Sequence, residues 1–389
     1  MYEKITQEAT LLRAFHAVRR NKGCPGIDKQ SIQQFGQHLG MHIRELARLT
    51  SQRRYKPLPA ARVYIPKPNG KQRPLGIPAV RDRIVQQAVR ETIEPLLERT
   101  FKDASYGFRP ARNAHQAIAQ IREYIHQGYV HVVDADIRDF FGTLDHQILM
   151  AKVRNAIPDR DSTRLIWQFL KAGVLEDGAF RTTTAGTPQG GVISPLLANL
   201  YLTEFDECME RAGLKLVRYA DDFVILCKSV NQVVYAMRTA REKLGKLKLT
   251  LAEEKTTITE VSSGFTFLGY TFWKRKETLY TFPSDKAIRA YKDKVRHASR
   301  RQQPQNITMV IERLNPIVRG WGNYFNHWHG TARLRRLDEW TRMRLRSFLL
   351  KKRRVSLEAH TKYPNSYFRG LGLVFLLDVM AMRPSVLSP

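Results

Sequence analysis

The sequence predicts an α+β protein: a mixed region of strands and helices, followed by a helical and strongly basic one. Three observations carry this. Runs that read as strands, near 62–78, 129–137, 216–226 and 265–270, are interspersed with stretches of helical spacing. From Asp285 to Leu357 helical pattern dominates and Lys and Arg become dense. One strand run, 129–137, ends in closely spaced acids, and another, 216–226, carries two adjacent acids between its apolar halves, where folding alone gives no reason to place them.

Composition sets the outer bounds. A chain of 389 residues suffices for two domains or one multi-lobed enzyme, and 43% hydrophobic residues support a sizeable core. Lys plus Arg number 65 against 36 Asp plus Glu, a formal charge of +29. That excess points to a polyanion, and nucleic acid is the usual one. A membrane surface is the competing partner, but no stretch is apolar over the length that spans a bilayer. The segment Gly372–Leu377 is short, ends at Asp378 and reads as buried core. The amino terminus lacks a secretory signal. Cys24, Cys208 and Cys227 form no C-x-x-C pair, which argues against a disulfide framework or zinc site and for a reducing, intracellular setting.

In chain order, Leu11, Leu12, Phe15 and Val18 fit one helix, and Ile32, Phe35, Ile43, Leu46 and Leu49 fit a second. The Gly, Pro and Asn residues of 21–28 break them apart. Arg62–Ile65 and Pro74–Ile77 read as a hairpin closed by Pro68-Asn69-Gly70. That loop pairs Ile65 with Arg73 and Lys67 with Lys71, so Lys67, Lys71 and Arg73 share a face. Three cations there suit a triphosphate; the bland reading is a solvated, charged hairpin. Arg83–Leu97 and Ala114–Gln127 read as helices. Between them Ser105–Asn113 interleaves aromatic residues with Arg109 and Arg112, a pattern suited to stacking on bases and gripping phosphate.

Tyr129–Ile137 is a strand whose period places Asp134 and Asp136 on one face. Phe140-Phe141 follow, and Asp145-His146 open a helix, with His146 a helix-start residue rather than a catalyst. Thr187–Gly191 is a turn leading to a helix that Ser194 caps and Pro195 begins. Its glycines let backbone approach a ligand closely, with Gln189 exposed at that approach. Leu216–Leu226 is a hairpin with Asp221 and Asp222 at its tip. A divalent metal would neutralise two such acids; the alternative is an ordinary solvated turn. A helix over Val230–Leu247 and a strand over Phe265–Tyr270 follow. Ile317, Trp321, Tyr324 and Trp328 have helical spacing and read as core. Arg333, Arg335, Arg336, Arg342, Arg344, Arg346 and Lys351–Arg354 give a basic helical face for a phosphate backbone. His327 and His329 have no third ligand nearby, so zinc is set aside.

Taken in order, Asp136-Ile137-Arg138-Asp139-Phe140-Phe141, Thr187-Pro188-Gln189-Gly190-Gly191 and Tyr219-Ala220-Asp221-Asp222 resemble the motifs of group II intron reverse transcriptases, the intron-encoded maturases. The resemblance runs to about residue 355. Gly26-Ile27-Asp28 and the Ser105–Arg112 loop look like the extensions that set this group apart from retroviral enzymes. The resemblance implies a right-hand polymerase: an N-terminal extension and fingers over 1–120, a palm with finger elements over 121–280, a helical thumb or maturase domain over 281–360 and a short tail over 361–389.

By the same resemblance Asp136 and Asp221 bind two Mg²⁺ ions, for which Mn²⁺ can substitute. Asp222 assists and the Ile137 carbonyl is a further ligand. Phe141 is the steric gate against a ribose 2′-OH. Lys67, Arg73, Gln189 and Lys255 approach the incoming dNTP, and Phe267, Leu268 and Gly269 form the primer grip. The implied activity is extension of a DNA or RNA primer on an RNA template, with binding of intron RNA to assist splicing and retromobility. The implied setting is a cytoplasmic, nucleoid-associated bacterial ribonucleoprotein. No HNH cluster precedes Pro389, so no endonuclease activity is expected, and the segment from Tyr363 matches the family pattern poorly. The competing readings are a splicing chaperone with an idle polymerase, an intron-free relative serving phage defence or DNA repair, and an RNA-dependent RNA polymerase.

Overall fold

In the computed structural model, residues 1–66, 70, 72–300, 302, 304–351 and 358–381 are described. Lys67, Pro68, Asn69, Lys71 and the run Lys352–Arg354 lie outside them. The chain divides into two compact units, 1–258 and 259–389.

The first unit opens on helices. Glu8–Arg20 buries Leu11, Phe15 and Val18, while Leu12 is 38% exposed. The expected second helix is two, Ile32–Gln37 and Leu39–Ser51, broken at His38. Gly36 and Gly40 flank the break and weaken the helix there. The strands of this unit are β1 (Ala60–Pro66), β2 (Gln72–Ile77), β3 (His131–Asp136), β4 (Val174–Glu176), β5 (Ala179–Arg181), β6 (Lys215–Tyr219) and β7 (Asp222–Cys227), and β8 (Thr257–Glu260) begins in it and runs past residue 258. One sheet has the order β2-β1-β4-β5. Its first hairpin has the expected register, Ile65 opposite Arg73, with Gly70 at φ 80°. The β4–β5 hairpin was not expected from sequence. It turns on Asp177 and Gly178, at φ 50° and 80°, the mirror-turn geometry favoured by Asp-Gly.

The second sheet has the order β6-β7-β3-β8. Val217 and Arg218 point to opposite faces of β6, yet both are buried. Helices Ala114–His126, Ser194–Arg211 and Val230–Lys246 pack on β6, β7 or β3. Ser194 is not the cap expected. It is the first helical residue, Ile193 is the cap, and the Ser194 hydroxyl donates to the Pro188 carbonyl at 3.0 Å. The local turn thus takes the hydroxyl that a cap would aim at the helix.

The second unit holds a three-stranded sheet, β11-β10-β9, from β9 (Phe265–Phe267), β10 (Tyr270–Arg275) and β11 (Thr278–Pro283). Helices Asp285–Ala298, Ile307–Phe325 and Thr331–Leu349 follow, with a core that includes Tyr291, Leu314, Leu337 and Phe348. Leu373, Phe375 and Leu376 belong to that core, as expected of the 372–377 segment, while Val374 and Leu377 are half-buried against it and Gly372 is exposed. Trp328 is not on the helix with Trp321. The helix stops at Phe325, and Trp328, at φ 57°, sets its ring edge against Tyr270 at 5.3 Å. Among the described residues no helix is long and apolar enough to cross a membrane.

Candidate active site

Asp136 and the adjacent pair Asp221–Asp222, far apart in sequence, meet at one end of the β6-β7-β3 sheet. β3 runs antiparallel to β7, with Asp136 opposite Asp222. β6 and β7 join through Ala220 and Asp221 alone, with Tyr219 opposite Asp222. Ala220 holds φ 62°, the left-handed conformation that starts so tight a hairpin turn. Beyond Asp136 the chain stays extended: Ala252 N–H donates to the Asp136 carbonyl at 2.8 Å and Arg138 N–H to the Thr250 carbonyl at 2.9 Å. Backbone groups alternate sides along a strand, so the Ile137 carbonyl faces away from 250–252 and toward the β7 side.

The electrostatics are those of crowded acids. Burial, then the Asp136 carboxylate, pushes the Asp221 carboxyl above its ordinary range, with Lys255 and Arg73 opposing. Burial, then Asp222 and Asp136, pushes Asp134 up to about 7. Lys255 forms an ion pair with Asp136 Oδ2, and that bond, ahead of the pull of Asp222 and Asp221, raises its pKa. Asp136 Oδ1 is buried without a hydrogen-bond partner. An orphaned carboxylate oxygen, half-buried acids beside it and an ammonium bonded to the other oxygen fit a divalent cation site at which a lysine supplies the positive charge. Hard cations of this kind take carboxylate and carbonyl oxygens, the donor set assembled here. With Lys255 on Asp136, no three acidic, His or Cys side chains among the described residues close to coordination distance.

Asp134 gives a test of this crowding. Its folded pKa lies above the ordinary 3.8, so the native state keeps a proton that the unfolded chain has lost. That contribution is full below the unfolded value and is lost as pH rises through about 7. Asp134→Asn is expected to flatten the fall in unfolding temperature between about pH 4 and 7 and to melt above the parent at the upper end. Circular dichroism melts with chelator present check this.

Beside Asp221 lies a cavity of about 350 Å³ lined by Arg73, Leu75, Phe108, Phe141, Gln189 and Gly190, among others. It unites residues that the sequence scatters over four segments. Gly76 N–H donates to the Gln189 carbonyl at 2.8 Å and Thr187 N–H to the Phe141 carbonyl at 2.8 Å, so the Gln189 loop is tied to both the β2 strand and the Phe141 turn. Gln189 Oε1 is buried with no partner. His146 begins its helix as expected, buried, with Nε2 2.6 Å from the Gly186 carbonyl.

Several expected nucleic-acid contacts are instead internal. Arg109 is buried; it bonds Glu98 through Nε at 2.9 Å and Nη2 at 2.6 Å, and donates to the Ser105 carbonyl at 2.8 Å. Arg346 is 2% exposed and donates to the Tyr363 carbonyl at 2.9 Å and Asn365 Oδ1 at 3.0 Å. Both guanidiniums are spent on holding chain turns, so neither is available to a phosphate. Arg112 pairs with Asp103. Arg335 and Arg336 are exposed, and Arg342 is half-buried over the Phe375 ring. Arg333 bonds Asp285 at 3.0 Å and Arg344 the Ser299 carbonyl at 3.0 Å, so the helix distributes these cations rather than presenting one face. In the second unit Phe267, Leu268 and Gly269 form the turn from β9 to β10, with Leu268 at φ 49°, Gly269 at φ 80° and the Leu268 carbonyl accepting from Tyr324 Oη at 2.8 Å.

Sequence reasoning passed over the support of the Asp221 turn. Arg218 and Asp206 are each 1% exposed and joined by two hydrogen bonds, at 2.7 and 2.6 Å. An arginine inside the apolar run Leu216–Leu226 was the available signal. Phe108 was noted as one aromatic of a loop; its φ of 59° and its place in the cavity were not foreseen.

Residues 65–272 match the family model described as reverse transcriptase (RNA-dependent DNA polymerase), and 288–363 match the group II intron, maturase-specific domain. Protein YkfC of Escherichia coli (strain K12) is 36% identical over 330 residues, 73% of this chain and 87% of that protein. The group II intron-encoded protein LtrA of Lactococcus lactis subsp. cremoris is 34% identical over 288 residues, 57% of this chain, which spans about half (48%) of LtrA. A solved structure of telomerase from Candida albicans shares the fold at a TM-score of 0.50 and 12% identity, over 90% of this chain and 66% of that one.

Proposed function

Because the chain belongs to the group II intron family of reverse transcriptases, RNA-directed DNA polymerases that use divalent metal ions, we propose that it extends a primer 3′-OH with dNTPs on an RNA template at the Asp136–Asp221–Asp222 cluster. The observation that carries this is the meeting of those acids beside a cavity lined by Arg73, Phe141 and Gln189.

In this reading Asp136 and Asp221, with Asp222 and the Ile137 carbonyl, hold Mg²⁺, or Mn²⁺ in its place. The ions, when bound, lower the pKa of the attacking hydroxyl and neutralise charge on the leaving pyrophosphate. Lys255 moves from Asp136 toward the triphosphate, which Arg73 and Lys67 also neutralise. Gln189 turns its unpartnered oxygen to the incoming nucleotide. Phe141 closes the cavity where a 2′-OH would lie. The Phe267–Gly269 turn grips the primer. The protein chemistry is positioning and charge neutralisation, with no covalent nucleophile.

The proposed division is fingers and extension over 1–120, palm over 121–280, thumb or maturase domain over 281–360 and tail over 361–389. The RNA is group II intron RNA, bound to assist splicing and retromobility, in a cytoplasmic, nucleoid-associated ribonucleoprotein. Primer extension on an RNA template with Mg²⁺, comparing dNTPs with rNTPs, tests the polymerase. The parent is expected to prefer dNTPs. Phe141→Ala is expected to raise relative rNTP use by roughly 10- to 100-fold, the scale of removing one steric clash worth about 1–3 kcal/mol. Equal use of rNTPs by the parent would instead mark an RNA polymerase.

A further inference from the structure

Arg218 lies one strand residue before the Tyr219–Asp222 corner, wholly inside the protein. Its Nε and Nη2 donate to the two oxygens of Asp206, at 2.7 and 2.6 Å. Its Nη1 donates to the Ala220 carbonyl at 2.8 Å and to Asn199 Oδ1 at 3.2 Å. Asn199 in turn donates through Nδ2 to the Gly107 carbonyl at 2.8 Å. The backbone follows the same seam: Arg218 N–H donates to the Ala104 carbonyl at 2.7 Å and Tyr106 N–H to the Arg218 carbonyl at 2.9 Å. At its end a Cβ on Gly107 would lie 2.5 Å from the Ala220 nitrogen, so the 104–107 segment sits flush on the turn. The next residue, Phe108, is held at φ 59° and lines the cavity with Asp221.

A buried ion pair is a poor device for stability. Desolvation offsets most of its Coulombic gain, and two well-packed apolar side chains often do as well or better. What apolar side chains lack is a planar fork of donors. Arg218 uses that fork on three groups at once: the Asp206 carboxylate, the Asn199 amide and the carbonyl of Ala220, a left-handed residue whose conformation costs energy and must be held from outside. The helix Ser194–Arg211, which supplies Asn199 and Asp206, is thereby fixed to the turn that carries Asp221.

We infer that Arg218 is a positioning residue for catalysis: braced by Asp206 and Asn199, it sets the Ala220–Asp221 turn and, through Gly107, the Phe108 wall of the same cavity. The inference rests on reading Asp221 as a catalytic carboxylate. It assigns the charged network to geometry rather than to stability, so the two must separate on mutation.

The test uses the full chain in RNA-templated primer extension, with thermal unfolding of each variant. In the double variant Arg218→Met with Asp206→Leu, no charge is left unpaired. It is expected to unfold cooperatively near the parent temperature, while kcat falls on the order of 10²-fold, the cost of a misplaced reacting group. The KM for dNTP changes little and the Mg²⁺ concentration for half-maximal rate rises. Arg218→Lys keeps the charge opposite Asp206 but cannot reach all three groups, and is expected to lose kcat in the same way. A folded double variant with parental kcat overturns the inference. So does a loss confined to KM, or a kcat that merely tracks the unfolded fraction. If the double variant does not fold, Arg218→Lys decides: parental kcat there overturns the inference. An active Asp221→Ala enzyme would instead overturn the site reading, independently of Arg218.

Discussion

Asp221→Ala is expected to lose primer extension by roughly 10³- to 10⁴-fold, while RNA affinity stays within a few-fold of the parent. The size follows from the chemistry proposed for the site. Charge stabilisation at a phosphoryl-transfer centre is worth several kcal/mol, and each 1.36 kcal/mol is about tenfold in rate. A backbone turn cannot replace the lost carboxylate, because Ala220 and Asp221 form the whole connection between the strands. Misfolding is separable from chemistry here. Burial and the Asp136 charge push the Asp221 carboxyl upward, so its ionised form costs the folded state free energy at neutral pH. Removing it is expected to leave the unfolding temperature of the chelated protein unchanged or raised. A variant that melts normally, binds RNA in filter or fluorescence titration and still extends primers at parental rate would falsify the assignment.

The affinity for RNA is expected to fall about 10³- to 10⁵-fold between 50 and 200 mM salt, if six to ten phosphates are neutralised. The formal charge of +29 makes such a count reachable. The structure sorts which cations count. Arg335 and Arg336 are exposed, so replacing both by Gln is expected to lower the slope of log affinity against log salt by about 1.4–1.8. Arg346 is buried against the Tyr363 carbonyl, so Arg346→Gln is expected to leave the slope unchanged and to lower the unfolding temperature. Titrations at four or five salt concentrations distinguish these outcomes. A flat response in the parent would remove the case for a phosphate-binding surface.

What was legible in the sequence was whatever repeats with a short period. Alternation fixed the faces of β3 and the hairpin around Asp221, and a three-residue loop fixed the register that sets Ile65 opposite Arg73. The helix from Glu8 was readable from its apolar spacing. What was not legible depends on neighbours remote in sequence. A cation in a loop looks the same whether it faces solvent or is taken up, as Arg109 is, by Glu98 and two backbone carbonyls. Arg346 is hidden by Tyr363 and Asn365, which belong to a segment that matches the family pattern poorly. Ser194 has the chemistry of a cap and the position of one, give or take a residue; the Pro188 carbonyl decides the matter by taking its hydroxyl. The Asp177-Gly178 turn was a local signal and could have been read.

Ala220 carries one last consequence, for anyone breeding variants of this protein. Its φ of 62° is a conformation glycine adopts without the steric penalty, worth on the order of 1 kcal/mol. A screen for heat tolerance would therefore favour glycine at this codon, whereas a screen for product yield would favour the stiffer alanine. Selection by either criterion alone would drift from the other at a position that contributes no functional group.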